Sequence, residues 1–200
     1  MLRRIEKRKE KRKKLIMGIV LVVVMIMSLL GVIVGAPTDP EWEYNDYKFE
    51  QVQDSSGQIF FLTKINGEDK GFNFLPLSLE TIPVANSFSE KTQSPLLYLT
   101  FDPGANRQNL MYVDLVRNDI ERNFKSTVIS GTINQTNSYT LPVITCENAT
   151  SYSPVFYFNV STNTSIVKKD NCFIVNAELT EFFKARDLFL YHYFGVMNDS

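Results

Sequence analysis

The sequence predicts an α+β protein: an N-terminal transmembrane helix followed by a mixed β-sheet domain with two amphipathic helices. Three observations predict it. Residues 15–34 are an uncharged apolar run. Short runs between residues 47 and 175 alternate with the two-residue period of strands. Residues 106–124 and 177–194 carry the three-to-four-residue spacing of helices.

The membrane segment comes first. Nine of the 21 Lys/Arg lie in residues 1–14 beside only Glu6 and Glu10, which leaves 12 basic against 20 acidic residues for 35–200. Between these parts, 20 residues from Leu15 to Val34 carry no charge. As a helix they span ~30 Å, the thickness of a bilayer's hydrocarbon. A lone helix also pairs its own backbone groups there. A cleaved signal peptide is the competing interpretation, because Val34, Gly35 and Ala36 resemble a small-residue cleavage site. Against it, the run exceeds the roughly 7–15 apolar residues of such peptides, and Pro37 follows at once. The basic cluster stays cytoplasmic, so residues 1–14 form a cytoplasmic tail of a single-pass cell-membrane protein and the C-terminal part lies outside. An acidic outer domain argues against nucleic acid as a partner.

Residues 35–44 are expected to be a linker, held extended by Pro37 and Pro40. Trp42 either lies at the headgroups or opens the first strand. The domain proper, 45–200, then starts as a three-stranded meander. Tyr47–Gln53 alternates, Asp54–Gly57 turns, and Gln58–Ile65 returns. Asn66-Gly67 is a hairpin signal, because both residues tolerate positive φ. Lys70–Leu75 forms the third strand, closed by Pro76. Leu77–Ser94 reads as irregular. Pro95–Phe101 is apolar enough for a buried strand. In Asn106–Phe124, Leu110, Val113, Val116, Ile120 and Phe124 share one helical face. Ser126–Ser130 resumes a strand, so a strand–helix–strand crossover is expected. Further short strands are Val143–Cys146, Val155–Asn159, Ser165–Lys168 and Cys172–Val175. A last helix, Ala177–Phe194, would be capped by Asn176 and ended by Gly195.

The chain carries no catalytic or cofactor motif. Two cysteines and one histidine lack the spacing of a metal site. Cys146 and Cys172, both on the outer side, predict a disulfide. The alternative is two buried free thiols. Asn-X-Ser/Thr matches at Asn134, Asn148, Asn159 and Asn163, with a fifth at Asn198, predict an exposed glycosylated face, or polar turns if the host does not glycosylate. His192 lacks a Gly-X-Ser-X-Gly partner motif. Asp102-Pro103-Gly104 follows a buried strand, where α/β sheets often bind ligands, but it is also an ordinary turn. Arg186 lies near the centre of the apolar face of the last helix. It must therefore pair with an acid on the sheet, reach past its aromatic neighbours to water, or anchor a partner.

The run Cys146–Thr150, then Ser153–Phe158, then Asn171–Val175, followed by a terminal helix, resembles small single-pass cell-surface proteins of archaea that share a basic N-terminus and a paired-cysteine module. The resemblance implies an envelope location and agrees with the disulfide and the glycosylation motifs. It assigns no activity.

These features point to a non-enzymatic, membrane-anchored binding or assembly module of the envelope, with another envelope protein as partner. Gly31 and Gly35 form a GxxxG match, which suggests a homodimer through the membrane helix. The alternative is a tethered hydrolase using paired carboxylates.

Overall fold

The computed structural model describes residues 17–19 and 41–198. The basic tail, most of the expected membrane helix and the linker up to Pro40 lie outside the described residues. Among the described residues no helix is long and apolar enough to cross a membrane.

The first sheet is the meander, with one strand more than expected. Strand β1 (Glu41–Tyr44) begins inside the stretch read as linker and pairs antiparallel with β2 (Tyr47–Gln53). The two-residue turn between them places Asn45 at φ 49°. Strands β3 (Ile59–Ile65) and β4 (Glu68–Phe72) complete the order β1-β2-β3-β4. Asn66 and Gly67 close the last hairpin at φ 52° and 84°, as their chemistry predicts. Alternation sends Phe49, Phe61, Ile65 and Phe72 to one face, and Phe49, Ile65 and Phe72 are buried.

The second sheet is mixed. Its strands are β5 (Leu96–Phe101), β6 (Thr127–Thr132), β7 (Val155–Val160), β8 (Ser165–Lys169) and β9 (Cys172–Ala177), in the order β6-β5-β7-β9-β8. All neighbours are parallel except the β8–β9 hairpin. Helix α3 (Arg107–Asn123) makes the crossover from β5 to β6, with the Asn106 side chain capping its start by accepting the Asn109 N–H. Two short helices, α1 (Pro76–Leu79) and α2 (Phe88–Thr92), occupy the stretch expected to be irregular.

Helix α4 (Glu181–Tyr193) lies between the sheets. Tyr191 stacks on Phe72 of the first sheet at 4.1 Å. Phe189, two residues away and about 200° around the helix, meets Phe156 of the second sheet at 4.7 Å. Leu188, Phe189, Leu190, Tyr191 and His192 are all buried. The expected amphipathic face is therefore a misreading. A helix covered on both sides has no wet face to set a period.

Three other expectations are corrected, each by a competing hydrogen bond. The strand at 70–75 stops at Phe72, because the N–H groups of Asn73 and Phe74 go to the Asp187 carboxylate at 2.8 Å. Val143–Cys146 is no strand. It makes one bridge, Thr132 to Val143, and then a 3₁₀ turn at Cys146–Asn148 is boxed by Thr145 and Asn148. Asn176 does not cap the last helix. It stays in β9 opposite Asn159, and the chain passes through Leu179 at φ 48° before α4 starts at Glu181.

Candidate functional site

Cys146 and Cys172 form a disulfide. It ties the 3₁₀ turn to the first residue of β9, on the sheet face away from α4. Ile144 and Val155 pack around it. Ile144 also sits over Gly131, where an added Cβ would come within 2.8 Å of its Cδ1. Thr100 Oγ1 donates to the Ile144 carbonyl at 2.7 Å. The bridged segment therefore covers one end of this face. Further along, Tyr157, Ile174 and Val167 form a row by register, half-exposed or exposed.

Arg186 is held by the chain itself. Its Nη1 contacts Asp187 Oδ1 at 2.7 Å and its Nε lies 3.1 Å from Asp119 Oδ2 on α3. Nη1 also donates to the Gly71 carbonyl and Nη2 to Asn73 Oδ1. The two acids stand on helices, the first sheet contributes the Gly71 carbonyl, and the bend after it contributes the Asn73 amide. Asp102 takes no part, since its carboxylate accepts the Gly104 N–H in its own turn. Asp187 is fully buried, and burial pushes its carboxyl up to about 7 against the pull of Arg186 and of the Phe74 and Asn73 N–H groups. The Tyr191 phenol, raised by burial and by Asp187, donates to the Phe74 carbonyl at 2.7 Å. This cluster locks α4 to β4 and α3.

The structure also joins two residues that the sequence separates by 103 positions. Ser89 Oγ on α2 lies 2.5 Å from His192 Nδ1 on α4. His192 borders a cavity of about 310 Å³ with Tyr44, Leu79, Glu80 and Val84. The Tyr44 hydroxyl donates to Glu80 there at 2.9 Å. No local motif could reveal such a pair. Among the described residues Glu80 is the one acid lining this cavity.

A second hollow, about 530 Å³, runs along the outer side of α3. Leu110, Met111 and Leu115 line it with apolar side chains, beside Arg107, Asp114 and Asn118. Met111 is 52% exposed and Leu115 51%, although they lie one turn apart on a helix whose other face is core. Tyr139 forms one wall. Its hydroxyl donates to Asp114 Oδ2 at 2.9 Å, and burial with that carboxylate pushes the phenol up to about 12. Arg117 pairs with the same Asp114 at 3.0 Å. Met111 and Leu115 are visible in the sequence as apolar residues off the core face.

On the outer face of the first sheet, a shallow hollow holds Glu50 and Asp69. They stand two strands apart, roughly 10 Å or more, and share the surface with Lys48 and Lys64. Among the described residues no group of three His, Cys, Asp or Glu side chains could hold a metal ion.

The glycosylation motifs divide. Asn134, Asn148 and Asn163 are exposed in loops or turns. Asn159 lies within β7, half-buried, and its amide donates to Asn176 Oδ1 at 2.8 Å. The motif at Asn198 runs past the described residues.

Comparison of the chain with family models, with curated proteins and with solved structures finds no match.

Proposed function

We propose that the chain is a membrane-anchored, non-enzymatic binding module of the cell envelope, and that α3 is its contact helix. The observation that carries this is the groove on α3. Its lining sets the apolar Leu110 and the exposed Met111 and Leu115 beside Arg107 and Asp114, one charge of each sign. Exposed apolar side chains set among charged ones suit a protein contact surface. The occupant this chemistry suits is a second envelope protein presenting apolar side chains. The uncharged run 15–34, its basic flank and the resemblance to archaeal cell-surface proteins support the envelope location. The disulfide suits an oxidising compartment.

The test places a photo-crosslinking residue at Met111 or Leu115 of the full chain in its native membranes. A discrete adduct of one mass is expected there and not from the same residue at Glu121. Equal yields at all three positions contradict the proposal.

The Ser89–His192 contact favours a second reading, ester or amide hydrolysis with Ser89 as nucleophile and His192 as base. His192 is 4% exposed, which limits substrate access to the pair. A fluorophosphonate probe separates the readings. The binding module leaves Ser89 unlabelled, and stoichiometric labelling that Ser89→Ala abolishes would establish the hydrolase.

A further inference from the structure

We infer that Asn134, Asn148 and Asn163 are N-glycosylation sites of this protein and that Asn159, despite its matching motif, is not. The inference rests on the extracytoplasmic placement proposed above, since the transferase works on that side.

The chemistry requires an asparagine amide that can be lifted into another enzyme. The Asn Nδ2 forms a bond to the anomeric carbon of a lipid-phosphate-linked oligosaccharide. The bond from that carbon to the phosphate oxygen breaks, the lipid phosphate leaves with the electron pair, and the Nδ2 proton passes to a base of the transferase. The acceptor must therefore be reachable, with its Nδ2 not engaged elsewhere, on backbone that can bend away from the fold.

Asn134 follows β6 in an exposed loop, and its motif hydroxyl, Thr136 Oγ1, accepts only from the Ser138 N–H. Asn148 sits in the exposed 3₁₀ turn. Its Oδ1 accepts the Thr145 N–H at 2.8 Å, which leaves Nδ2 pointing away from that bond. Asn163 lies in the loop between β7 and β8, where its backbone N–H donates to Ser161 Oγ at 3.4 Å. Its motif hydroxyl, Ser165 Oγ, accepts from Asn176 and keeps its own proton to donate.

Asn159 differs on each count. It sits in β7, paired with Asn176 of β9, one residue past the last β5 partner of that strand. Its Nδ2 donates into a ladder across the sheet, Asn159 to Asn176 at 2.8 Å and Asn176 to Ser165 Oγ at 3.1 Å. Presenting Asn159 would mean breaking the end of the β7–β9 ladder together with this side-chain ladder. Four matching motifs in the described domain thus resolve into three acceptors and one structural amide.

The experiment maps site occupancy on the full chain purified from the membranes of the cells that make it. Peptides holding Asn134, Asn148 and Asn163 are expected to carry glycan. In an Asn163→Gln variant the peptide that still holds Asn159 is expected to be bare. Glycan on Asn159, or bare asparagine at all three loop sites, overturns the inference. Two controls tell whether the extracytoplasmic placement falls with it. Protease added to intact cells reads which side the domain is on. Glu68→Thr creates an acceptor at the exposed Asn66-Gly67 turn. If protease removes the domain and Asn66 of this variant is modified while the three native sites are bare, the inference alone fails. If protease cannot reach the domain and all acceptors are bare, the placement fails as well.

Discussion

Helices α3 and α4 come from the same chain and were both expected, yet only one of them shows its buried face in the sequence. In α3, Val113, Val116, Ile120 and Phe124 are buried on one side, while Met111, Leu115 and Asn118 face water. Its period follows directly from that division. In α4, Phe182, Leu188, Phe189, Leu190, Tyr191 and His192 are buried because a sheet covers it on each side. The difference shows that hydrophobic period reports how many sides of a helix are wet, not merely that a helix is present. It also divides the labour between them. The covered helix holds the fold together, and the half-wet helix is the one available for contact.

Substitutions at matched positions can break this comparison. The largest effect is expected at Phe189, packed against Phe156, Phe88 and Phe158. Phe189→Ala in the full chain should cost about 3–5 kcal/mol of stability, measured by denaturant unfolding. A smaller loss, roughly 2–4 kcal/mol, is expected from Arg186→Ala, because it removes the contacts to Asp187 and Asp119 and the bonds to the Gly71 carbonyl and Asn73. Removing the disulfide with Cys146→Ser and Cys172→Ser together should cost about 3 kcal/mol. That loss should localise to exchange protection at residues 143–154, with α4 unaffected.

The charge cluster adds a pH signature. Asp187 is raised to about 7 in the folded chain, against 3.8 for the free side chain. Between these values the folded state holds a proton that the unfolded state has released. Its contribution to stability is therefore full below about pH 4, falls as pH rises toward 7, and is flat above. Asp187→Asn should remove that slope, and the difference between the two unfolding curves at each pH isolates it from the other carboxylates. A slope of the opposite sign would mean that Arg186 and the two backbone donors outweigh burial. The smallest effect belongs to the wet helix. Leu115→Asp should change stability by no more than about 0.5 kcal/mol. A large loss there would show that α3 is covered by its own domain.

The same contrast explains what the sequence could and could not reveal. The meander was legible because Asn66-Gly67 fixes a turn chemically and Phe49, Ile65 and Phe72 alternate against a wet outer face. Helix α3 and the parallel crossover were legible for the same reason. What failed lay where a distant partner decides the local structure. Asp187, 113 and 114 positions away, takes the N–H groups of Phe74 and Asn73 and ends β4. Asn176 has good capping chemistry but is held in β9 by its cross-strand bonds to Asn159 and Ser165. Ser89 and His192 meet only because α2 packs on α4. The sequence already set Asn159 apart, at the end of an apolar strand, but its bond to Asn176 was not legible there.

The most direct test of α3 as the contact helix is hydroxyl-radical footprinting of the full chain, in its native membranes and again after purification. Met111 and Leu115 should be protected in the membrane and become reactive once the chain is purified, while Phe189 stays protected in both. Equal reactivity of Met111 and Leu115 in the two states would contradict the account, because a helix that is wet in the native membrane contacts no partner.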